Sequence, residues 1–168
     1  MGHTEHRKGA PESVKLAILT VSTTRTLEED QSGHWMAGYG AEQGHRIVAH
    51  ELVTDQTDAI RNALMHILAD HCPQAVIVTG GTGITPQDVT IEALRPLFAK
   101  ELTAFAILFT QLSYAEINSA ALLSRASAGV IGQALIFCIP GSLNACKLAC
   151  RKLIFPELGH LIRHSSGK

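Results

Sequence analysis

The sequence predicts a three-layer α/β/α domain built on a mostly parallel central sheet. Short apolar runs alternate with amphipathic helical stretches along most of the 168 residues, which is the order expected when helices cover both faces of a parallel sheet. One run, "AVIVT" at residues 75–79, is apolar up to its last residue, as a strand buried on both faces should be. The length fits one domain, and a 46% share of hydrophobic residues can supply its core.

The first half of the chain predicts two strand and helix units. "KLAILTVS" (15–22) is the first strand, and "SGHWMAGYGAEQG" (32–44) is a helix that ends at a glycine suited to a C-cap. "RIVAHELV" (46–53) alternates and predicts the second strand. Residues 55–69 then place apolar side chains at the i, i+3, i+4, i+7 spacing of one helical face.

The second half predicts four further helical segments and a strand pair. Helical segments follow the third strand at 88–98, where a proline breaks the helix, and at 101–113. A short helix is predicted at 119–127. Residues 128–140 indicate two strands joined by a turn near their middle, and 142–158 form the final helix.

The elements define a single domain at residues 14–160, with a flexible N-terminal tail at 1–13 and a C-terminal tail at 161–168. The formal charge is −1, so we expect no nucleic-acid partner. No apolar run approaches the ~20 residues that cross a bilayer, and the N-terminus lacks the apolar segment of a signal peptide. We therefore expect a cytoplasmic protein with no membrane partner.

The four cysteines are predicted to be thiols, because none forms a CxxC pair and no export signal precedes them. Cys146 and Cys150 share a helical face, and with Cys138 they are compatible with a metal site. Their apolar neighbours favour buried thiols instead.

Three polar loops are predicted to meet at one edge of the sheet, because such sheets bind ligands outside the carboxyl ends of their strands. They are "STTRTLEEDQSG" (22–33), "TGGTG" (79–83) and "PGS" (140–142). The first loop can carry function or be a solvated connection, and Asp30 or Ser32 can cap the helix that follows it.

The glycine loop allows two interpretations. It lacks the lysine of a Walker A loop and the spacing of a dinucleotide fingerprint. Its backbone N–H groups, with the hydroxyls of Thr79 and Thr82, can still hold an anion such as a phosphate. Alternatively, Gly80, Gly81 and Gly83 serve only a tight turn that needs positive φ angles.

Two aspartates and the third loop also allow both a structural and a ligand-binding interpretation. Asp88 lies where a helix is predicted to begin, so it can be an N-cap; beside a phosphate it can instead bind Mg²⁺, which takes few protein carboxylates. Asp55 strengthens the second interpretation, because it also follows a strand and belongs to the same edge. Pro140, Gly141 and Ser142 form either a capped turn or an anion site at a helix start.

Together these residues resemble the MoaB/MogA family of molybdenum cofactor biosynthesis proteins, with details closer to the MoaB branch. The resemblance extends from about Leu16 to Leu158. TGGTG, an aspartate five residues later and a downstream PGS form a specific combination. The segments that carry the resemblance are "LTVSTTRTLEEDQSG", "VTDQTDAIRNAL", "TGGTGITPQDVTIEAL", "LSYAEINSAALLSRASAGV" and "LIFCIPGSLNACKLA".

The resemblance implies a molybdopterin-binding fold that forms homotrimers or homohexamers, with other molybdenum cofactor biosynthesis proteins as candidate partners. It also implies adenylylation of molybdopterin, with ATP as co-substrate and Mg²⁺ as cofactor. Asp55 and Asp88 match the family's functional aspartates, so they are the expected catalytic and metal-binding residues. The expected ligand contacts are Ser22, Asp30, Thr79, Gly80, Gly81, Thr82, Gly83, Pro140, Gly141 and Ser142.

One segment departs from the family pattern. Where the family usually has G-F-G-E-x-F-R-x-L-S, this chain has "AFAILFTQLS" (104–113), so Ile107 replaces an acid and Thr110 an arginine. The lost charges are three apart on a predicted helix and can have been partners. An ion pair exchanged for an apolar subunit contact would leave activity intact. Loss of groups that support ligand or metal would leave a molybdopterin carrier or assembly protein without efficient catalysis.

Overall fold

A six-stranded sheet is the framework of the computed structural model, which describes residues 11–165. The strands are β1 (Lys15–Val21), β2 (Arg46–Val53), β3 (Ala75–Thr79), β4 (Lys100–Glu101), β5 (Ser127–Ile131) and β6 (Ala134–Ile139). Their order across the sheet is β2-β1-β3-β6-β5-β4. The first four strands of that order are parallel to one another, whereas β5 runs antiparallel to both of its neighbours.

Six α-helices in the described part of the chain flank this sheet. They are α1 (Gln31–Glu42), α2 (Thr57–His71), α3 (Thr90–Leu94), α4 (Thr103–Ile117), α5 (Leu143–Ala149) and α6 (Phe155–Ser165). A π-helical segment, Cys150–Ile154, joins α5 to α6 without a break. Short 3₁₀ segments follow α3 and α4 at Arg95–Leu97 and Asn118–Leu123.

Alternation along the strands divides the core into two layers, because successive side chains of a strand point to opposite faces. In β1, Leu16 and Ile18 belong to the layer beneath α1, α4, α5 and α6. Ala17 and Leu19 belong to the layer beneath α2 and α3. All four side chains are fully buried, and burial of each leucine or isoleucine stabilises the fold by about 1.5–3 kcal/mol. The predicted three-layer α/β/α class with a mostly parallel sheet is confirmed.

Several predicted elements are observed closely. The strands at 46–53 and 75–79 have the predicted limits, and the strand pair within 128–140 is the β5–β6 hairpin. Gly44 follows α1 with a φ angle of +85°, which suits the predicted glycine end of that helix.

Two predicted helical stretches differ in the structure. Residues 119–127 contain no α-helix: the short helix there is the 3₁₀ segment Asn118–Leu123, and β5 begins at Ser127. Glu101, expected in a helix, belongs to the edge strand β4. A strand of two residues is too short to produce a pattern in sequence.

The predicted tails need one correction. Helix α6 continues through residues 161–165, and Ile162 within it is buried, so the domain extends beyond residue 160. Residues 11–13 have no regular structure, and Val14 is fully buried at the start of the domain. Residues 1–10 of the predicted flexible N-terminal tail and residues 166–168 of the predicted C-terminal tail lie outside the described residues.

The cysteines are free thiols, as predicted. Cys138, Cys146 and Cys150 are buried, whereas Cys72 is exposed. Burial raises the pKa of Cys138 to about 12 and also raises the pKa of Cys146, so both are protonated at neutral pH. Between residues 11 and 165, none of the helices combines the length and apolar content that crossing a bilayer requires.

Candidate functional site

A cleft of about 270 Å³ opens where three parallel strands end. Thr20 of β1 pairs with Thr79 of β3, which pairs with Ile139 of β6, so the loops after these strands lie side by side as predicted. The lining residues that these loops contribute are Ser22, Thr24 and Arg25 after β1, Thr79, Gly80, Gly81, Thr82 and Gly83 at β3, and Pro140 and Gly141 after β6. The other lining residues are Thr20 and Val21 of β1, Asp88 and Leu123.

Two glycines of the loop are required by its shape. Gly80 has a φ angle of +95° and Gly81 a φ angle of +62°, a region that other residues rarely adopt. A Cβ atom on Gly80 would lie 2.3 Å from the Val21 carbonyl oxygen. A Cβ atom on Gly141 would lie 3.1 Å from the Gly80 Cα atom. The tight turn is therefore real, and it allows the second and third loops to touch.

Hydrogen bonds show which donors of the loop remain for a ligand. The Gly80 N–H donates to the Ile139 carbonyl, and the Thr79 hydroxyl donates to the Pro140 carbonyl, each at 3.1 Å. The expected role of the Thr79 hydroxyl as a donor to the anion is thus replaced by a contact between loops. Among residues 11–165, no acceptor receives the N–H groups of Gly81 and Thr82.

Arg125 fixes the outer side of the glycine loop. Its Nε atom donates to the carbonyl oxygens of Thr82 at 3.0 Å and Gly83 at 2.9 Å. Its terminal nitrogens donate to the Glu92 carboxylate at 2.6 and 3.2 Å. Because a peptide unit is planar, holding these carbonyls sets the orientation of the loop's peptide planes. Arg125 was not predicted from the sequence, because the carbonyls that it contacts leave no pattern there.

Asp88 lies on the cleft wall but does not cap α3. The N-cap is Val89, which makes no side-chain hydrogen bond there, so the capping interpretation is wrong. The Asp88 carboxylate instead accepts from the backbone N–H of Thr85 at 2.9 Å and from its hydroxyl at 2.7 Å. Burial alone would raise the pKa of Asp88, but these bonds, the Gly83 N–H and the Arg125 charge hold the pKa below its usual range. The side chain is therefore a carboxylate at neutral pH.

Asp55 is close to the cleft without lining it. Its carboxylate accepts a hydrogen bond from the Thr23 hydroxyl, and Thr23 lies between the lining residues Ser22 and Thr24. Among residues 11–165, no cluster of three or more histidine, cysteine, aspartate or glutamate side chains could hold a metal. Two carboxylates at one edge fit Mg²⁺, which takes one or two carboxylates together with substrate phosphate oxygens.

Asp30 was predicted to contact a ligand, but the structure places it away from the cleft wall. It is fully buried beneath the cleft, where it accepts from the Thr20 hydroxyl, from the Gly33 N–H at 2.9 Å and from His50 Nε2 at 2.8 Å. Burial opposes the charge, but hydrogen bonds from His50, Thr20 and Gly33, with the His50 charge, lower the pKa of Asp30 to about 2. Asp30 caps α1 and supports the cleft from below instead of lining it.

Ser142 also acts through structure. Its hydroxyl accepts from the Ala145 N–H at 3.3 Å and caps α5, and Ser142 is not among the lining residues. The Ser32 hydroxyl donates to the Gly141 carbonyl at 3.0 Å and so ties α1 to the third loop. The capping interpretation of the third loop is confirmed, while Pro140 and Gly141 lie on the wall as expected.

Arg25 supplies a charge that the sequence analysis did not single out. It lines the cleft beside the glycine loop. Its position in the polar loop after β1, at the carboxyl edge of the sheet, was the available signal. A guanidinium beside free N–H donors favours an anionic ligand.

The departure at Ile107 and Thr110 lies away from the cleft. Ile107 is 60% exposed on α4, and Thr110 is also exposed. Neither residue lines the cleft. Thr110 borders a different cavity, which it shares with Arg95 and Leu122.

The fold and the cleft together define an α/β protein with a glycine-lined cleft at the carboxyl edge of its sheet. A family model described as a probable molybdopterin binding domain matches residues 17–160. The chain belongs to the MoaB/MogA family of molybdenum cofactor biosynthesis proteins.

Relatives agree over nearly the whole chain. Molybdenum cofactor biosynthesis protein B of Bacillus subtilis is 49% identical over 160 residues, which cover 95% of this chain and 94% of the relative. A crystal structure of a molybdenum cofactor biosynthesis protein B superposes with a TM-score of 0.90 at 42% identity, covering 95% of this chain and 99% of that one. The tungsten cofactor synthesizing protein MoaB from Pyrococcus furiosus gives a TM-score of 0.84 at 36% identity, over 93% and 99%.

Proposed function

We propose that this chain acts in molybdenum cofactor biosynthesis by binding molybdopterin through its phosphate at the sheet-edge cleft. The observation that carries the proposal is the pair of N–H groups of Gly81 and Thr82, which have no acceptor among residues 11–165. Arg25 adds a positive charge on the same wall. Membership of a family whose model is described as a probable molybdopterin binding domain supports molybdopterin as the ligand.

The reaction that fits this site is adenylyl transfer from ATP to the bound molybdopterin. A terminal phosphate oxygen of molybdopterin forms a bond to the α-phosphorus of ATP, the bond between the α-phosphorus and its bridging oxygen breaks, and pyrophosphate leaves. Such a transfer needs little covalent chemistry from the protein. It needs the two phosphates held in line and the developing charge neutralised.

Different residues of the cleft would hold the phosphates and neutralise their charge. The N–H groups of Gly81 and Thr82 would hold phosphate oxygens, and Arg25 would balance their charge. Asp88 would hold Mg²⁺ at the cleft wall, with Asp55 joining directly or through water. Bound there, Mg²⁺ supplies neutralisation of phosphate charge.

A non-catalytic molybdopterin carrier is the second candidate, because Ile107 and Thr110 replace charged residues of the family pattern. The position of both residues outside the cleft favours retained catalysis. The exchange then belongs to an outer surface of α4 and not to the groups that would hold ligand or metal.

The deciding experiment combines the protein with molybdopterin and Mg-ATP and measures adenylylated molybdopterin. Asp88→Asn keeps an acceptor for Thr85 but removes the charge, so we expect product formation to fall about 100-fold while the fold is retained. Asp70→Asn, at an exposed carboxylate of α2, is the matched control and should keep full activity. Molybdopterin binding without product would establish the carrier function. Absence of molybdopterin binding would reject both functions in favour of another phosphorylated ligand.

Self-association is part of the same proposal. Helix α4 is apolar on its outer side as well as on its buried side, which is typical of a helix that is covered all round. The exposed apolar side chains of α4 and the following 3₁₀ segment are Ile107, Leu108, Tyr114, Ile117, Leu122 and Leu123. A second copy of the chain would cover them in a homotrimer or homohexamer. Leu123 also lines the cleft, so association would close one side of the site.

A further inference from the structure

A second cavity, separate from the cleft, carries an excess of positive charge. It has a volume of about 240 Å³ and lies between the end of α4 and the α5–π segment. We call it the α4–α5 cavity. Its lining residues are Glu116, Asn144, Lys147, Leu148, Arg151 and Lys152, and none of them lines the cleft at the sheet edge.

The cations of this cavity are not compensated within the protein. Lys147, Arg151 and Lys152 face one carboxylate, Glu116, so the wall has a formal charge of three minus one, or +2. Within residues 11–165 none of the three cations forms an ion pair or a hydrogen bond with the protein. Arg95, by contrast, donates twice to Glu101. Uncompensated charge concentrated in a concave site favours an anionic ligand.

Aromatic side chains hold two of the cations in place. The guanidinium carbon of Arg151 lies 5.3 Å from the Trp35 ring centre and 5.6 Å from that of Tyr39, and the Lys147 ammonium lies 5.8 Å from Trp35. The two rings stack on each other with centres 4.9 Å apart. Attraction to an aromatic face uses no N–H donor, so the donors stay free. Side chains that are already ordered lose less entropy when a ligand binds.

The π-helical segment adds the third cation. Lys147 lies in α5, one helical turn before Arg151, and both Arg151 and Lys152 lie in the segment Cys150–Ile154. There the Phe155 N–H donates to the Cys150 carbonyl five residues earlier. This wider turn rotates successive residues by less than the ~100° of an α-helix, which helps to keep neighbouring side chains on one cavity wall. Such segments are rare and frequently occur at functional sites.

We propose that the α4–α5 cavity binds a phosphate-bearing small molecule. Its formal charge of +2 matches a phosphate dianion. A guanidinium fork and two ammonium groups are the side chains that proteins use most for phosphate oxygens, and the Asn144 amide can donate as well. The volume of about 240 Å³ suits one compact group in preference to an extended polypeptide.

The test titrates the full chain with inorganic phosphate and follows its backbone amides by NMR. Phosphate should shift amides of residues 144–152 as a process separate from any shift at residues 80–83. Lys147→Gln/Arg151→Gln should weaken the first process by about 10-fold or more and leave the second unchanged. Lys15→Gln/Lys100→Gln removes the same charge from exposed strand positions and should alter neither. Lys152→Gln, which has no aromatic contact, provides a second variant should the double variant fold poorly.

Each contrary result has a distinct meaning. The inference is rejected if phosphate shifts no amides at residues 144–152, or if the control pair weakens binding as much as the cavity variants do. A change of oligomeric mass in Lys152→Gln would instead make the cavity an interface between copies. Tighter binding of a glutamate-rich peptide than of phosphate would assign it to an acidic polypeptide. Loss of phosphate binding at residues 80–83 alone would count against the proposed function and leave this inference standing.

Discussion

Asp30 joins three elements at a single residue. It caps α1, and its carboxylate binds Thr20 of β1 and His50 of β2. Thr20 itself lines the cleft. The carboxylate therefore couples the packing of α1 to the floor of the cleft, although Asp30 does not line the cleft.

Removing the Asp30 charge should change how stability depends on pH. The pKa of Asp30 is about 2 in the folded protein and about 4 in an unfolded chain. Because the folded value is the lower one, the unfolded state binds more protons between these values. The contribution of Asp30, about 2 kcal/mol, is complete above pH 4 and is lost as the pH falls toward 2. In Asp30→Asn, urea denaturation should show a smaller loss of stability over this window than in the wild type. An unchanged pH slope would contradict the prediction, and Asp70→Asn serves as the exposed control.

Arg125 should control ligand affinity through the geometry of its hydrogen bonds to the glycine loop and not through its charge. Arg125→Gln releases the carbonyls of Thr82 and Gly83, so we expect the affinity for Mg-ATP to fall about 10-fold. Arg125→Lys keeps the charge but cannot reproduce the fork, and it should restore little. Arg95→Gln breaks a comparable pair with Glu101 away from the loop and should bind like the wild type. Full recovery in Arg125→Lys, measured by calorimetry, would show that charge alone matters.

The sequence predicted some residues of the site and misplaced others for a physical reason. Gly80, Gly81 and Asp88 were identified because positive φ angles and loop carboxylates leave local signals. Asp30 was expected on the cleft wall, but the structure buries it. This burial could not be predicted, because its partners Thr20 and His50 become neighbours only when β1 pairs with β2 in register. Burial that depends on strand register cannot be read from one loop.

At the scale of elements, continuous burial made β3 predictable, whereas the partly buried β2 was predicted from its alternation. β3 is buried along its whole length, so its composition left no alternative to a central strand. The segment after α4 was predicted as a short helix, and it forms the 3₁₀ segment Asn118–Leu123 but no α-helix. Four of its exposed residues, at 119–120 and 122–123, show that no core-facing stripe enforces that helix.

The junction after α4 also stores backbone strain at Asn118. This residue has a φ angle of +53° and a ψ angle of −137°, a combination that favours glycine and costs other residues about 1–3 kcal/mol. Asn118→Gly should therefore raise the free energy of unfolding by about 1 kcal/mol, after the entropic cost of glycine in the unfolded chain. The shift is measurable as a higher urea midpoint. Ser119→Gly, at the next exposed position, should lower the midpoint slightly, and a lower midpoint for Asn118→Gly would refute the strain argument.

For the whole molecule, we predict that a second copy of the chain covers the apolar outer side of α4. Ile107 is 60% exposed in the single chain, where water contacts a large hydrophobic surface. If a second copy covers it, Ile107→Glu buries an unpaired charge, which costs about 3–5 kcal/mol and should raise the dissociation constant at least about 100-fold. Adding Thr110→Arg supplies a partner three residues away on the same helix and should restore much of the association.

Met65→Glu is the matched control, because Met65 is 49% exposed on α2 at the opposite face of the sheet. Sedimentation velocity distinguishes the outcomes. Equal dissociation in both single variants would place the interface elsewhere, and an assembly insensitive to Ile107→Glu would mean that the lost charge pair never belonged to a subunit contact.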